Sequence, residues 1–339
     1  MTKANAAFYE RVPSRHLRSA LSPGGTFAPL LAKRTVAGVD LELHLRSGDE
    51  AHLYCGLTCL VKGGLEGSGA VWIESHRTYA CQPCASRLFR PERMRSVSRD
   101  YRRDTWSVGE PGLAEAVDTF LTDVRVAPRQ TREGAIQARW SRIGEPWIVI
   151  DKEAALAYPS EAERERQLKK AFRPSVEEAR NELRALALAK RSLPKRRDHW
   201  AMPPDPKDSL KLDQLAVDPA GNLVLVEIKN ASGSSAKVYY APFQLLQNVW
   251  EWYCALEAVR DSLQELLDAR VDLGLTNADA SPLTGGIRAA VGFGDDGRSE
   301  EVRRRYAQVL AVANAHLPPG VAPIETWALA DGRKPARIG

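Results

Sequence analysis

The 339-residue sequence predicts an α/β fold in which a mixed sheet is flanked by helices and preceded by a β-rich accessory domain. Alternating and glycine-rich segments dominate the first part of the chain, which is typical of antiparallel strands. In the second part, apolar strand-like segments alternate with long charged helical segments, which favours a sheet covered by helices. Within it, two apolar runs at 212–217 and 223–228 flank a turn-forming sequence, and this pattern predicts a buried β-hairpin.

The predicted N-terminal domain covers residues 1–145 and is built around a small antiparallel sheet. Its predicted strands are at 39–45, 53–61 and 70–73, followed by a predicted helix at 113–124. The glycines at 63, 64, 67 and 69 separate the last two strands. A turn at 144–146 marks the predicted domain boundary.

The predicted second domain covers residues 146–339 and alternates strands with helices. Ser160 and Glu163 form a capping box before two helices that are separated near Arg173–Pro174. The predicted elements are a strand at 147–150, helices at 160–170 and 175–190, the hairpin, a helix at 242–269, a strand at 287–293, a helix at 299–315 capped by Ser299, and a strand at 324–329.

Composition and length indicate a two-domain globular protein. The apolar fraction is 44% and the charged fraction 27%, both ordinary values, and 339 residues exceed one comfortable core. We find no run of eighteen apolar residues and no apolar core of a signal peptide at the N-terminus, so no membrane partner is expected. Five cysteines, an odd number, do not suggest a secreted disulfide scaffold. We therefore expect a cytoplasmic protein.

Four of the cysteines are spaced as two pairs, C-x3-C and C-x2-C, which could hold a structural zinc ion. These residues are Cys55, Cys59, Cys81 and Cys84. The alternative is a packed strand, because Cys55 and Cys59 would share one face if 53–61 were a single strand, and cysteine behaves as a small buried hydrophobe. We favour the packed strand.

Basic residues cluster in two segments, although the net charge is only +5. Residues 87–103 contain seven arginines with interleaved aromatic residues, and a second cluster precedes the hairpin. Arginine suits phosphate contacts and base stacking, so both segments are candidate nucleic-acid surfaces; the alternative is a solvated basic loop. The candidate binding residues are Arg99, Arg102 and Arg103 in the first segment and Lys195, Arg196 and Arg197 in the second.

The hairpin places charged residues together. Side chains alternate along a strand, so Glu227 and Lys229 project from the same face. In the register that pairs residue 217 with residue 223, Asp213 lies across from Glu227, with Cβ atoms about 4.5–5.5 Å apart. Facing carboxylates repel unless a positive charge separates them, and their oxygens suit a hard cation, Mg²⁺ above all, with Mn²⁺ as a substitute. A surface ion pair is the alternative, but charges at the end of a doubly buried strand are costly unless paired or metal-bound.

These residues resemble the PD-(D/E)XK, or restriction-endonuclease-like, nuclease superfamily. The matching pattern is Asp213, thirteen intervening residues, then Glu227-Ile228-Lys229, on a hairpin followed by a helix. The resemblance covers roughly residues 151–329. It implies that Asp213 and Glu227 bind Mg²⁺, with the carbonyl of Ile228 as a third ligand, and that Lys229 assists the attacking water.

Many members of this superfamily also carry a Gln on the helix after the catalytic strand and a Glu on an earlier helix. Gln244 and Gln247 occupy the corresponding region, and the sequence leaves the choice between them open. The candidates for the earlier Glu are Glu161, Glu163, Glu165, Glu177, Glu178 and Glu182, and no spacing rule selects one.

We therefore expect a Mg²⁺-dependent nuclease, an endonuclease that favours DNA. One alternative is a non-catalytic module on the same fold that binds nucleic acid or protein. Another is a protein that assembles through its long helix and uses the hairpin charges only structurally. A homodimer, or a protein partner on the N-terminal domain, stays open.

Overall fold

A computed structural model of the chain describes residues 7–31, 35–36, 38–66, 70–107, 110–126, 132–171, 173–191, 200–205, 211–230, 236–276, 280–294, 297–329 and 334–338. The protein is mixed α/β, with two sheets and helices, and its N-terminal region is β-rich. The chain divides into two compact units. The N-terminal unit consists of Glu10–Gly144 and Ser262–Asp279, and the C-terminal unit of Met1–Tyr9, Glu145–Asp261 and Ala280–Gly339. Neither unit is continuous in sequence.

The N-terminal unit is built on an antiparallel sheet of seven strands in the order β1-β2-β3-β4-β5-β7-β6, as the alternating patterns predict. Its elements are α1 (Arg15–Leu21), a 3₁₀ helix (Ala28–Leu31), β1 (Thr35–Val36), β2 (Val39–Arg46), β3 (Glu50–Cys55), β4 (Thr58–Leu65), β5 (Val71–His76), α2 (Arg77–Ala80), a second 3₁₀ helix (Pro83–Ala85), β6 (Arg95–Ser96), β7 (Tyr101–Trp106), α3 (Leu113–Asp123) and α4 (Arg132–Ile143). One face of this sheet forms an apolar core, because Leu43, Leu53 and Val61 are opposite one another and fully or almost fully buried.

One predicted strand of this unit is wrong. Residues 53–61 form the end of β3, a turn at Gly56 and Leu57, and the start of β4, instead of a single strand. The alternation of apolar and polar residues continues across the turn, and so a periodicity of two does not reveal it. Gly63 and Gly64, predicted to separate strands, lie inside β4, while residues 67 and 69 are outside the described part of the chain.

The C-terminal unit is built on a mixed sheet in the order β13-β12-β11-β10-β9-β8. Its elements are β8 (Ile148–Ala154), α5 (Glu161–Ala171), α6 (Arg173–Arg191), β9 (Leu212–Val217), β10 (Leu223–Lys229), α7 (Ala236–Tyr239), the first part of α8 (Ala241–Asp272), β11 (Ile287–Phe293), α9 (Glu300–Ala315), β12 (Glu325–Ala328) and β13 (Ala336–Arg337). The residues of α8 from Ser262 onward belong to the N-terminal unit. Strand β9 is antiparallel to both β8 and β10, and β13 is antiparallel to β12, whereas β11 is parallel to both β10 and β12. A helix, α8 or α9, connects each parallel pair, as a crossover between parallel strands requires.

The hairpin β9–β10 has the predicted register. Residue 217 pairs with 223 and residue 215 with 225. The apolar side chains of both strands are at most 1% exposed, so the hairpin is buried on both faces, as its composition predicts.

Two helices of this unit, α5 and α9, have the N-terminal caps that the sequence predicts. Ser160 accepts a hydrogen bond from the Glu163 backbone N–H at 3.1 Å, and Ser299 caps α9 by accepting from Val302 N–H at 3.3 Å. The carboxylate of Glu163, however, bonds Arg166 and Gln167 on its own helix. Among the described residues, no helix is long and apolar enough to cross a membrane.

Candidate active site at one edge of the C-terminal sheet

The strand order brings the predicted catalytic residues to one edge of the sheet. Because β9 is antiparallel to both neighbours, its first residues lie beside the last residues of β8 and β10. Asp213 is the second residue of β9, and Lys229 is the last residue of β10. The parallel strand β11 ends at the same edge, with Phe293 beside Lys229.

Asp213, Glu227 and Lys229 form a connected cluster. The Lys229 ammonium lies 2.5 Å from Glu227 Oε1 and 4.0 Å from Asp213 Oδ2. Asp213 Oδ2 also accepts a hydrogen bond from the Ile228 backbone N–H at 2.8 Å. The ammonium thus offsets the repulsion between the two carboxylates, and the backbone bond fixes Asp213 beside β10.

The cluster is partly buried but open to solvent. The side chains of Asp213, Lys229 and Glu227 are 22%, 14% and 10% exposed. Charges in such a position are only partly screened by water, so their interactions are stronger than those of a surface pair. Part of each side chain therefore stays in contact with solvent.

The donor set fits a hard divalent cation in type, because two carboxylates from adjacent strands offer oxygen ligands. Ile228 is 0% exposed and is held at the cluster through its N–H. Among the residues that the structure describes, no group of three or more His, Cys, Asp or Glu side chains is arranged to hold a metal ion. A metal site at this cluster would therefore take its side-chain ligands from Asp213 and Glu227.

Gln244 and Gln247 both lie within the first seven residues of α8. Gln247 is 3% exposed. Gln244 is half-buried, and its side-chain oxygen is buried without a hydrogen-bond partner among the described residues. A buried amide oxygen that lacks a donor costs about 1–3 kcal/mol, so this atom is suited to accept a hydrogen bond from a ligand or water.

The earlier glutamates interact mainly with their own helices or with His316. Glu161 pairs with Arg164, Glu163 with Arg166, and Glu165 with Lys169, while Glu178 and Glu182 lie near His316. Glu177 is exposed on α6. These contacts are typical of helix surfaces.

Strand β8 contributes a carboxylate position that the sequence did not indicate. Lys152 and Ala154 pair with Gln214 and Leu212, so Glu153 between them lies across from Asp213. Glu153 has φ +49°, a left-handed conformation that side-chain-bearing residues rarely adopt. The sequence shows Asp-Lys-Glu after an apolar run, but only the β8–β9 register places Glu153 beside Asp213.

Of the predicted nucleic-acid-binding residues, the structure describes the three arginines of the first segment. Arg102 and Arg103 are consecutive residues of β7 and therefore point to opposite faces of the sheet. Arg103 pairs with Glu74 at 2.9 Å and stacks on Trp72, whereas Arg102 bonds Ser96. Arg99 is exposed in the preceding bend. Lys195, Arg196 and Arg197 lie outside the described residues.

The cysteine pairs are not brought together as a set of ligands. Across the β3–β4 hairpin Cys55 pairs with Thr58, and Cys59 pairs with Tyr54. Cys55 and Cys59 therefore point to opposite faces, which corrects the expectation that they share one. Cys55 is buried, Cys59 and Cys84 are half-buried, and Cys81 is exposed.

A pocket of about 360 Å³ also lies in the C-terminal unit, lined by Tyr158, Arg164 and Glu251 among others. Tyr158 Oη donates a hydrogen bond to Glu251 Oε1 at 3.0 Å. Burial raises the pKa of Glu251, against the opposing effects of this hydrogen bond and of Arg164. A buried carboxyl that faces a pocket is a candidate binding group. The sequence around Glu251 does not indicate this role.

No family model, no curated protein and no solved structure matches this chain. The function is therefore inferred from the residues and their contacts.

Proposed function

We propose that this protein is a metal-dependent nuclease of the PD-(D/E)XK type, which hydrolyses phosphodiester bonds of nucleic acid, with DNA the favoured substrate. The observation that carries the proposal is the contact of Lys229 with both Glu227 and Asp213 at one edge of a buried sheet. The three residues come from two strands and match the resemblance residue for residue.

The arrangement of elements supports the same proposal. An antiparallel hairpin, β9–β10, is followed by α8 and by β11, which is parallel to β10. This is a mixed sheet with helices, the type of fold that the resemblance implies. The restriction-endonuclease-like fold is thus part of the proposal.

In this proposal, Asp213 and Glu227 hold Mg²⁺, which when bound supplies Lewis-acid stabilisation of the negative charge on the phosphate. Lys229 donates hydrogen bonds from its ammonium to the attacking water or to the phosphate oxygens as their charge develops. The short contact to Glu227 orients the ammonium before the substrate arrives, so little reorganisation is needed.

Gln244 is the better candidate of the two glutamines for positioning the water. Its buried oxygen has no hydrogen-bond partner among the described residues and can accept a hydrogen bond from a water molecule. A water held in this way would keep its lone pair free for attack.

The test is cleavage of labelled single- and double-stranded DNA and RNA in Mg²⁺, Mn²⁺ or EDTA, with wild type and Lys229→Ala compared. We expect cleavage that requires a divalent cation and falls at least about 100-fold in the variant, the usual loss when one electrostatic donor of an active site is removed. Lys211→Ala is the matched control, because Lys211 is exposed just before β9 and carries the same charge. Its cleavage should stay within a few-fold of wild type.

Three results would contradict the proposal. Equal cutting by wild type and Lys229→Ala would indicate a contaminating nuclease. Binding of nucleic acid without cleavage would favour the non-catalytic module. An absence of both binding and cleavage would remove the support for chemistry at the hairpin. Thermal unfolding of each variant checks that the fold is retained.

A further inference from the structure

The pocket beside Tyr158 is separate from the catalytic cluster but borders it. It is lined by Ala155, Ala157, Tyr158, Ser160, Arg164 and Glu251, all within the C-terminal unit. The segment that lines it begins directly after β8, whose last residue, Ala154, pairs with Leu212. Leu212 is next to Asp213, so the pocket starts at the same sheet edge as the candidate active site.

Helix α8 connects the pocket with the candidate glutamines. Glu251 follows Gln247 by four residues and Gln244 by seven, so the three side chains lie along one face of the helix. A ligand group bound at Glu251 would thus lie about two helical turns, roughly 10 Å, along α8 from Gln244, the side chain expected to position the water.

The pocket offers three kinds of contact. The Tyr158 ring is a flat surface for stacking. The Glu251 carboxyl is 7% exposed and accepts a hydrogen bond from Tyr158, which holds it in place. The Arg164 guanidinium lies over the Tyr158 ring, 5.9 Å from its centroid, and provides a cation in the pocket lining.

These groups are complementary to a nucleotide. An aromatic ring stacks on a base, a carboxylate accepts hydrogen bonds from an exocyclic amine, and a guanidinium binds phosphate. A desolvated carboxylate is costly without donors, so an amine in the pocket would stabilise Glu251. The volume of about 360 Å³ is near the lower end of the range for small-ligand sites, which suits one nucleotide.

We propose that this pocket binds a single nucleotide next to the bond that is cut, with its base on Tyr158 and Glu251 and its phosphate on Arg164. The inference rests on the proposed nuclease function and adds a substrate feature, an unpaired nucleotide beside the cleavage site. Bases with an exocyclic amine are preferred over thymine, because Glu251 accepts a hydrogen bond from that amine.

The test is a calorimetric titration of wild type with dAMP, dCMP, dGMP and dTMP in EDTA, where no metal-dependent cleavage occurs. We expect binding of the three amine-bearing nucleotides, at least about 10-fold tighter than binding of dTMP. Glu251→Gln keeps the size of the side chain and should reduce this preference to a few-fold or less. Glu257→Gln is the matched control, since Glu257 is exposed on the same helix; it should leave the affinities unchanged.

Arg164→Gln provides a second, independent readout. It should weaken nucleotide binding at least about 10-fold but leave binding of the corresponding nucleosides unchanged, because only the phosphate contact is lost. This variant also keeps the test decisive if Glu251→Gln fails to fold.

The outcomes separate the two proposals. No nucleotide binding by wild type, or the same affinities in wild type, Glu251→Gln and Arg164→Gln, would overturn the pocket assignment, even if the protein cleaves nucleic acid. Pocket-dependent nucleotide binding together with an absence of cleavage would overturn the nuclease function and leave a nucleotide site. In Lys229→Ala, we expect nucleotide binding to persist while cleavage is lost.

Discussion

At the residue scale, Asp218 stabilises the tip of the hairpin β9–β10. Its carboxylate accepts hydrogen bonds from the backbone N–H groups of Ala220 and Asn222, both at 2.9 Å, and pairs with Arg288 on β11 at 2.6 Å. Burial opposes ionisation, but the hydrogen bonds from Asn222 and Arg288 outweigh it and lower the pKa of Asp218 below its ordinary value. The ionised carboxylate therefore links the turn to the neighbouring strand.

We expect Asp218→Asn to lower the free energy of unfolding by about 1–3 kcal/mol at pH 7, because a buried donor then faces the Arg288 guanidinium. A carboxyl whose pKa is lowered by folding stabilises the fold above its unfolded pKa, and this contribution disappears as the pH falls through the folded pKa. The difference between wild type and variant should therefore be full at pH 7 and 5 and shrink below about pH 3.9. Urea unfolding at pH 7, 5, 3 and 2 measures it, and a difference independent of pH would contradict this role.

The candidate site was only partly predictable at this scale. The pairing of Glu227 and Lys229 follows from strand alternation, and Asp213 follows from the turn, since both are local properties. The carboxylate position of Glu153 depends on the register of β8 against β9, which no short-range pattern encodes. Glu251 meets Tyr158 across 93 residues of sequence, so its role could not be read from either segment.

At the element scale, Gly221 makes the hairpin turn possible. It has φ +81°, its N–H donates to Asp218 O at 2.9 Å, and its carbonyl accepts from Thr284 N–H at 2.8 Å. A Cβ at this position would lie 2.1 Å from the carbonyl oxygen of Pro282. Both the backbone conformation and the close approach therefore require glycine.

We expect Gly221→Ala to destabilise the protein clearly more than Gly320→Ala. Gly320 has nearly the same φ, +80°, but no atom within 4 Å of an added Cβ. Both variants carry the left-handed cost of about 1–2 kcal/mol, and only Gly221→Ala adds the clash. Chemical denaturation of both variants measures the difference, and equal losses would mean that the segment near Pro282 moves aside without cost.

Some predictions of strands and helices were confirmed and others were wrong, and the physical reasons can be identified. The hairpin β9–β10 was predictable because strong turn formers interrupt two apolar runs. The β3–β4 hairpin was missed because Gly56 and Leu57 maintain the alternation across the turn. Helix α4 was not predicted, and its mixed composition gives only a weak apolar stripe.

At the scale of the whole molecule, both units are assembled from distant parts of the chain. In the C-terminal unit, Phe8 pairs with Ala157, and the Tyr9 hydroxyl donates to the buried carboxylate of Asp151. In the N-terminal unit, Arg18 pairs with Glu265 at 2.8 Å. A division at one point in the sequence would therefore remove contacts from both units.

We expect residues 10–144 alone to unfold at a lower temperature than the same residues joined to 262–279 by a flexible linker. The added segment restores the ion pair to Arg18 and the buried Arg270, which donates to the Leu43 carbonyl at 3.4 Å. Its apolar residues Leu263, Leu266 and Leu267 are at most 1% exposed, so their burial is the larger contribution. Thermal unfolding followed by circular dichroism compares the two polypeptides, and identical transitions would show that the segment does not stabilise this unit.

The sequence by itself determined the hairpin β9–β10, its register and the shared face of Glu227 and Lys229. These features depend on side-chain alternation and on turn residues within about twenty positions, and such short-range preferences are present in the chain before it folds. Only the tertiary structure decided that Glu153 lies across from Asp213, that Arg288 pairs with Asp218, and that Glu251 lines a pocket with Tyr158. These contacts depend on strand order and on the packing of distant segments, because many arrangements satisfy the same local patterns and the packed core selects one of them.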